Sequence, residues 1–176
     1  MATLKYDPKL AAFLDLIAAS EGTSDSTITK NDGYDIIVTG VDGQNRFDDY
    51  SCHPFANGRT PILVRAARLA ACPADAIAVP ALHSTASGRY QFELGTWTSI
   101  AHTYGFNIFS PGNQDMAAVD LLSECHATTP IMNGDVELAI HACSTTWASF
   151  PGNTYGQGGR TLDWLLAKYK SLLGGA

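Results

Sequence analysis

The chain has no apolar run approaching the roughly 18 residues that would suggest a membrane-spanning helix. Its first residues also lack the basic segment and apolar core of a secretion signal, so synthesis in a cytoplasm without a signal of its own is expected. Charge is sparse at 16% of residues, and 11 Lys and Arg against 17 Asp and Glu leave a formal net charge of -6. That balance argues against a nucleic-acid partner, because phosphate contacts need clustered Lys and Arg. It also removes any general attraction to anionic surfaces. Four cysteines, Cys52, Cys72, Cys125 and Cys143, are too few and too widely spaced for a disulfide-built mini-protein. Cys125-His126 and His141-Ala142-Cys143 lack the roughly two-to-four-residue gap of zinc sites, so buried free thiols and ordinary helical histidines are expected there, and no metal. There is no internal repeat, low-complexity tract or linker. With 176 residues, 45% of them hydrophobic, residues 1–176 are expected to form one domain with a full core.

What is present begins with the segment Asp7-Pro8 to Glu21-Gly22. Asp7 can cap a helix, Pro8 can open it and Gly22 can end it. Leu10, Phe13, Leu14 and Ile17 recur at helical spacing, and the next member of that stripe is Glu21. A carboxyl that continues an apolar face is partly desolvated. Burial disfavours its charged form and raises its pKa, which suits a general acid working near neutral pH.

Further along, Tyr34 to Val38 between Gly33 and Gly40 reads as a short strand, and Val41-Asp42-Gly43-Gln44 as a turn returning toward Phe47. Thr60-Pro61 reads as the start of a short helix through Cys72, with Pro73 and Pro80 punctuating the segment after it. From Gly88 onward the pattern is mainly helical. One helix is expected over Tyr90 to Tyr104, another from Ser110-Pro111 toward His126, a third after Gly134 through Ala148, and a last over Thr161 to Leu173 with Leu162, Leu165, Leu166 and Tyr169 on one face. The fold class is α+β, a mainly helical body with a small β-lobe inserted after the first helix.

Phe13-Leu14-Asp15-Leu16-Ile17-Ala18-Ala19-Ser20-Glu21-Gly22-Thr23 and then Asn31-Asp32-Gly33-Tyr34-Asp35-Ile36-Ile37-Val38 resemble the start of the phage lambda lysozyme family. Matches continue in the same order through Phe47-Asp48-Asp49-Tyr50-Ser51, His53-Pro54, Gly88-Arg89-Tyr90-Gln91, Phe109-Ser110-Pro111, Cys143-Ser144, Trp147-Ala148-Ser149-Phe150-Pro151-Gly152 and Tyr155-Gly156-Gln157. The main departure is the longer stretch between His53 and Ser87. The resemblance implies a lysozyme-like endolysin that cuts peptidoglycan between N-acetylmuramic acid and N-acetylglucosamine as a lytic transglycosylase, without a cofactor. It also implies a single catalytic glutamate at the position of Glu21, the residue that helical phase selects independently.

By the same resemblance Asp35 lies in the cleft, in substrate binding or electrostatic support, and Arg89, Tyr90 and Gln91 run along the glycan, with Gln91 the preferred direct contact. Tyr155, with Gln157 beside it, belongs to the active site. Read locally, Asp35 is also an ordinary turn residue, Tyr90 a packing residue, and Tyr155-Gly156-Gln157 a structural turn. Trp97, Trp147 and Trp164 fall in helical segments and read as core. Two rivals stay open: a hydrolase in which Asp35 or Asp48 activates water, and a non-catalytic wall-binding module. The expected partner is the glycan strand of peptidoglycan, met in the periplasm after release by a monomeric enzyme. Cys125 and Cys143, on successive expected helices joined through Pro130 and Gly134, can approach within the roughly 4.4–6.8 Å Cα separation of a disulfide, and Cys52 and Cys72 can close the divergent segment in the same way. Free thiols are expected first, with oxidation only after release, and catalysis independent of any bridge.

Overall fold

The computed structural model describes residues 7–69, 78–152 and 159–174. Helix α1, Pro8–Glu21, has the termini its residues specify. The Asp7 carboxylate accepts from the Lys9 amide at 2.9 Å, Pro8 fills a position whose N–H would have no partner, and Gly22 closes the helix at φ 72, its N–H reaching the Ala18 and Ala19 carbonyls. The apolar stripe is wider than its spacing implies. Leu16, Ala18 and Ala19 are buried along with Phe13, Leu14 and Ile17, so α1 is covered nearly all round and runs through the core.

A β region comes next. Strands β1 (Ile36–Gly40) and β2 (Gly43–Arg46) form an antiparallel hairpin with Ile36 opposite Arg46 and Gly40 opposite Gly43. The helix expected from Thr60 to Cys72 is absent. Ile62–Arg65 is instead strand β3, paired antiparallel with β6 (Leu82–Ser84), and Arg68–Leu69 is β4, paired with β5 (Ala78–Val79). The branched side chains of Ile62 and Val64 favour a pleated surface over a helix. The Val41 amide also donates to the Leu63 carbonyl at 2.9 Å, so β3 lies along the first hairpin and gains backbone partners no helix would have. Cys72 lies outside the described residues.

The helical body comprises α2 (Leu94–Tyr104), α3 (Pro111–Glu124), α4 (Thr128–Asn133), α5 (Val136–Ala142) and α6 (Leu162–Gly174). Helix α2 starts four residues later than the sequence pattern suggests. Ser87 and Phe92 exchange backbone bonds of 3.0 and 2.9 Å, closing a tight loop in which Gly88 (φ 78) and Gln91 (φ 53) both adopt left-handed backbone, which no helix can contain. Helix α3 begins as expected, with Ser110 accepting from the Asn113 amide at 3.3 Å. The expected helix through Ala148 stops at Ala142, and residues 143–150 form successive turns in which the Cys143 carbonyl accepts from both Thr146 and Trp147. Helices α3, α4 and α6 pack on α1, with Phe13 meeting Phe150 and Tyr169 edge-on at 6.2 and 6.3 Å. An α+β architecture, mainly helical with the β region after α1, is what the chain adopts. Among the described residues no helix is long and apolar enough to cross a membrane.

Candidate active site

Glu21 is the last residue of α1. The buried helix delivers its carboxyl to a cavity of about 290 Å³ between the helical body and the β region. Val38 from β1, Val64 from β3, Leu82 to Ser84 from β6, Gln91, Glu93 and Thr146 to Ala148 complete the wall. The divergent stretch after His53 therefore supplies one side of the cleft. A larger groove of about 790 Å³, lined by α5 and α6 residues such as Leu138, Leu166 and Tyr169, does not include Glu21.

Burial pushes the Glu21 carboxyl above its ordinary pKa, and this outweighs hydrogen bonds from the Ser149 side chain and backbone and the more distant Arg160 charge, all of which favour the carboxylate. Part of the residue still meets solvent at the cavity wall, so a proton on it can reach a bound substrate. The Ser149 hydroxyl donates to Oε1 at 2.7 Å. Ser149 Oγ is also 2.8 Å from Ser20 Oγ, which reaches the Ile17 carbonyl at 2.8 Å. These hydroxyls form a chain of adjustable polarity. When Glu21 is ionised, Ser149 donates to it and Ser20 to Ser149; when Glu21 is protonated, the direction reverses and ends on the Ile17 carbonyl. Ser149 is held by the chain beyond it. The Arg160 amide donates to the Ser149 carbonyl at 2.8 Å, and Gly159 lies so close that an added Cβ would come 2.8 Å from that oxygen.

The sequence-selected residues divide into two groups. Gln91 shares the cavity with Glu21, its strained backbone stapled by its own Nε2 donating to the Gly88 carbonyl at 2.9 Å. Asp35, Arg89 and Tyr90 are interior residues engaged elsewhere. Asp35 accepts from the Thr29 hydroxyl at 2.5 Å and the Lys30 amide at 2.9 Å, and has Arg46 at 3.6 Å. It pins the turn that precedes β1. The Arg89 guanidinium reaches Asp15 of α1 at 2.7 Å and Asp32 at 2.9 Å and lies 5.1 Å from the centre of the Tyr34 ring. The Tyr90 hydroxyl, like that of Tyr34, donates to Asp115 at 2.6 Å. Burial and that carboxylate hold both phenols well above the usual tyrosine range. None of the three is on the cavity wall. Tyr155 and Gln157 lie outside the described residues. Asp48 is exposed and paired with Arg46.

Sequence reasoning missed Ser149, Thr146 and Glu93. Ser149 lies within the Trp147 to Gly152 match, but nothing in its spacing tells that its hydroxyl meets the end of a helix 128 residues earlier. Glu93 precedes α2, and its oxygens accept from the Ser84 hydroxyl at 2.5 Å, the Thr85 amide at 2.9 Å and the Thr85 hydroxyl. Trp147 is core as expected, with its Nε1 donating to the Tyr90 carbonyl at 3.2 Å, yet it also reaches the cavity wall. His53 is a neutral interior residue. Burial lowers its pKa, and Nε2 donates to the Phe92 carbonyl at 3.0 Å.

A buried helix that ends in a carboxylic acid at a cleft between a helical body and a β region defines a lysozyme-like enzyme. Comparison with known proteins agrees. The family model described as Endolysin matches residues 11–176. The endolysin of Escherichia phage P2 is 40% identical over 172 residues, covering 97% of this chain and 96% of the relative. That of Escherichia phage lambda is 39% identical over 160 residues, covering 90% and 87%. Bacteriophage lambda lysozyme in complex with a chitohexasaccharide superimposes with a TM-score of 0.75 at 36% identity, with 97% of each chain covered. A second structure of lambda lysozyme gives 0.66 at 34% identity, covering 98% of this chain and 94% of the other. The chain belongs to the endolysin family.

Proposed function

We propose that this endolysin degrades peptidoglycan as a lytic transglycosylase, cleaving the β-1,4 bond between N-acetylmuramic acid and N-acetylglucosamine with Glu21 as its one acid-base group. The observation that carries the reading is a desolvated, pKa-raised Glu21 on a cavity whose other described carboxylate, Glu93, is occupied by Ser84 and Thr85. Glu21 donates its proton to the glycosidic oxygen, and the bond breaks through an oxocarbenium-like transition state. The C6 hydroxyl of the muramic acid then attacks its own anomeric carbon, and the Glu21 carboxylate takes the hydroxyl proton. The products are a free N-acetylglucosamine 4-hydroxyl and a 1,6-anhydromuramoyl end. Ser149 stabilises the carboxylate between the two proton transfers, and the reversible hydroxyl chain to Ser20 follows its charge.

Residues 1–176 act as one catalytic domain, without a cofactor and as a monomer. Gln91 offers its amide to an acetamido group, Trp147 an apolar surface to a sugar face, and Tyr155 and Gln157 add contacts from the 153–158 segment. Arg89, Tyr90 and Asp35 serve the substrate indirectly, by fixing the loop that carries Gln91 and the turn that leads into β1. The oligosaccharide in the lambda lysozyme complex supports a glycan in the equivalent cleft. Synthesis in the host cytoplasm and action in the periplasm complete the proposal.

A hydrolase would need a second carboxylate to act as nucleophile or to activate water. Mass spectrometry of the product ends separates the readings: anhydromuramoyl ends are expected, and reducing muramic acid ends would refute transglycosylation and direct attention to Glu93. Glycan binding without turnover would support a wall-binding module instead.

A further inference from the structure

Cys125 ends α3 and Cys143 ends α5. Both are free thiols that influence each other's ionisation although 18 residues separate them in the chain, and Thr146 links the two, its amide donating to the Cys143 carbonyl at 3.0 Å. Their surroundings differ. Cys143 is fully buried, whereas Cys125 is partly exposed, and its Sγ lies 3.0 Å from the Thr146 hydroxyl. Cys143 is also the first residue of the turn segment that carries Thr146, Trp147 and Ala148 to the cleft and Ser149 to Glu21.

We propose that Cys125 and Cys143 form a dithiol–disulfide site, in which accessible Cys125 attacks an external low-molecular-weight disulfide and buried Cys143 resolves the mixed disulfide into an internal bridge. In the first step the Cys125 thiolate bonds to one sulfur of the external disulfide and expels the other half as a thiolate, which takes up a proton. In the second step Cys143 loses its proton to solvent and attacks the Cys125 sulfur. The Cys125–Cys143 bond forms, and the second external thiolate leaves and is protonated. The protein dithiol is oxidised and one external disulfide is reduced to two thiols. The asymmetry of the pair suits these roles. The neighbouring Cys143 thiol lowers the Cys125 pKa to about 6, while Cys125 and burial hold Cys143 well above the usual thiol range, so that it stays protonated until the mixed disulfide forms beside it. The bridge would tie the end of α3 to the base of the turn segment that holds Ser149 against Glu21.

The test is incubation of the reduced full chain with oxidised glutathione, followed by intact-mass measurement and peptide mapping. Wild type is expected to lose two hydrogens and yield a Cys125–Cys143 linked peptide. Cys143→Ala is expected to stop at one stably bound glutathione on Cys125, and Cys125→Ala to leave Cys143 unmodified. At pH 6 a thiol with a pKa of about 6 is roughly half ionised, so after allowance for its lower intrinsic nucleophilicity wild-type Cys125 is expected to alkylate about tenfold faster than an ordinary thiol. A stable glutathione adduct on wild-type Cys125, a bridge to Cys52 or Cys72 in place of Cys143, or no mass change would each overturn the proposal. The wild-type map decides even if a variant fails to fold.

Discussion

Replacing Arg89 with Met separates the two roles open to this residue. A substrate contact would cost affinity, whereas the structure makes Arg89 an interior tie. Its guanidinium pairs with Asp15 at 2.7 Å and Asp32 at 2.9 Å, and the Arg89 side chain is 1% exposed against 16% for Asp15 and 42% for Asp32. Breaking a buried pair by removing one partner costs about 3–5 kcal/mol, because the other charge is left uncompensated. Asp32 is more than a third exposed and water screens it, so its share is small. Most of the loss therefore comes from Asp15 on the α1 side, and Met restores part of the packing, which places the expected destabilisation near 3 kcal/mol. For a chain of this length that lowers Tm by about 6–12 °C. Asp15→Asn added to Arg89→Met should return part of the loss, since the carboxylate charge that faced the guanidinium is gone. The assay is thermal unfolding of the two single variants and the double variant, with muralytic kinetics measured well below Tm. An Arg89→Met variant with wild-type Tm and a raised KM would refute the interior-tie reading.

Glu21→Gln is expected to fold and to lose about 10²–10⁴-fold in glycan cleavage, the span typical of a general acid. Because burial raises the folded-state pKa of Glu21, its contribution to stability is fully present below the ordinary carboxylate pKa and lost as pH rises through the raised value. The Tm of Glu21→Gln should accordingly gain on wild type with increasing pH, and parallel Tm–pH curves would contradict the desolvated carboxyl. Ser149→Ala removes a donor that favours the carboxylate, so the alkaline limb of kcat/KM is expected to move to higher pH and the plateau to fall about 10–100-fold, from one hydrogen bond to a charged group worth about 1.5–3 kcal/mol. Gly88→Ala is expected to destabilise by at least about 3 kcal/mol in denaturant titration, since Gly88 has φ 78 and a Cβ there would come 2.2 Å from Gln114 Oε1 and 2.9 Å from Phe109 Cζ. EDTA is expected to leave the turnover rate unchanged; a loss that zinc restores would revive Cys125, His126, His141 and Cys143 as ligands.

Local chemistry made α1 legible to the residue, because Asp7, Pro8 and Gly22 each act on their nearest neighbours. The start of α3 at Ser110-Pro111 and the extent of α6 were readable for the same reason. Failures arose where a distant partner decides. Ile62 to Arg65 becomes a strand because Leu82 to Ser84 and the first hairpin supply backbone bonds. Tyr90 to Glu93 stays out of α2 because Ser87 and Phe92 close a loop across it. The site divides along the same line. Glu21 was legible because an acid in an apolar stripe is a local anomaly. Arg89, Tyr90 and Asp35 sit beside true cleft residues in sequence, but long side chains with multiple donors or acceptors are also what a buried polar network uses, and their partners Asp15, Asp115 and Thr29 cannot be assigned from spacing.

The placement of Glu21 at the end of α1 bears on its acid strength as well as its position. A helix C-terminus presents carbonyl oxygens and the negative pole of the helix dipole, so a carboxylate there meets an unfavourable field in addition to desolvation. Gly22 and Thr23 donate their amides to the Ala18 and Ala19 carbonyls and the Thr23 hydroxyl adds a bond to the Ala18 carbonyl at 3.1 Å, so the helix end is satisfied without the Glu21 side chain. Opposing these effects are the two donors of Ser149, held by a turn segment that begins at Cys143. The helix end favours the protonated acid, and Ser149 favours the carboxylate. Their separation onto α1 and the 143–150 turns means that a displacement of the turns relative to α1 would change the acid's strength without moving the acid.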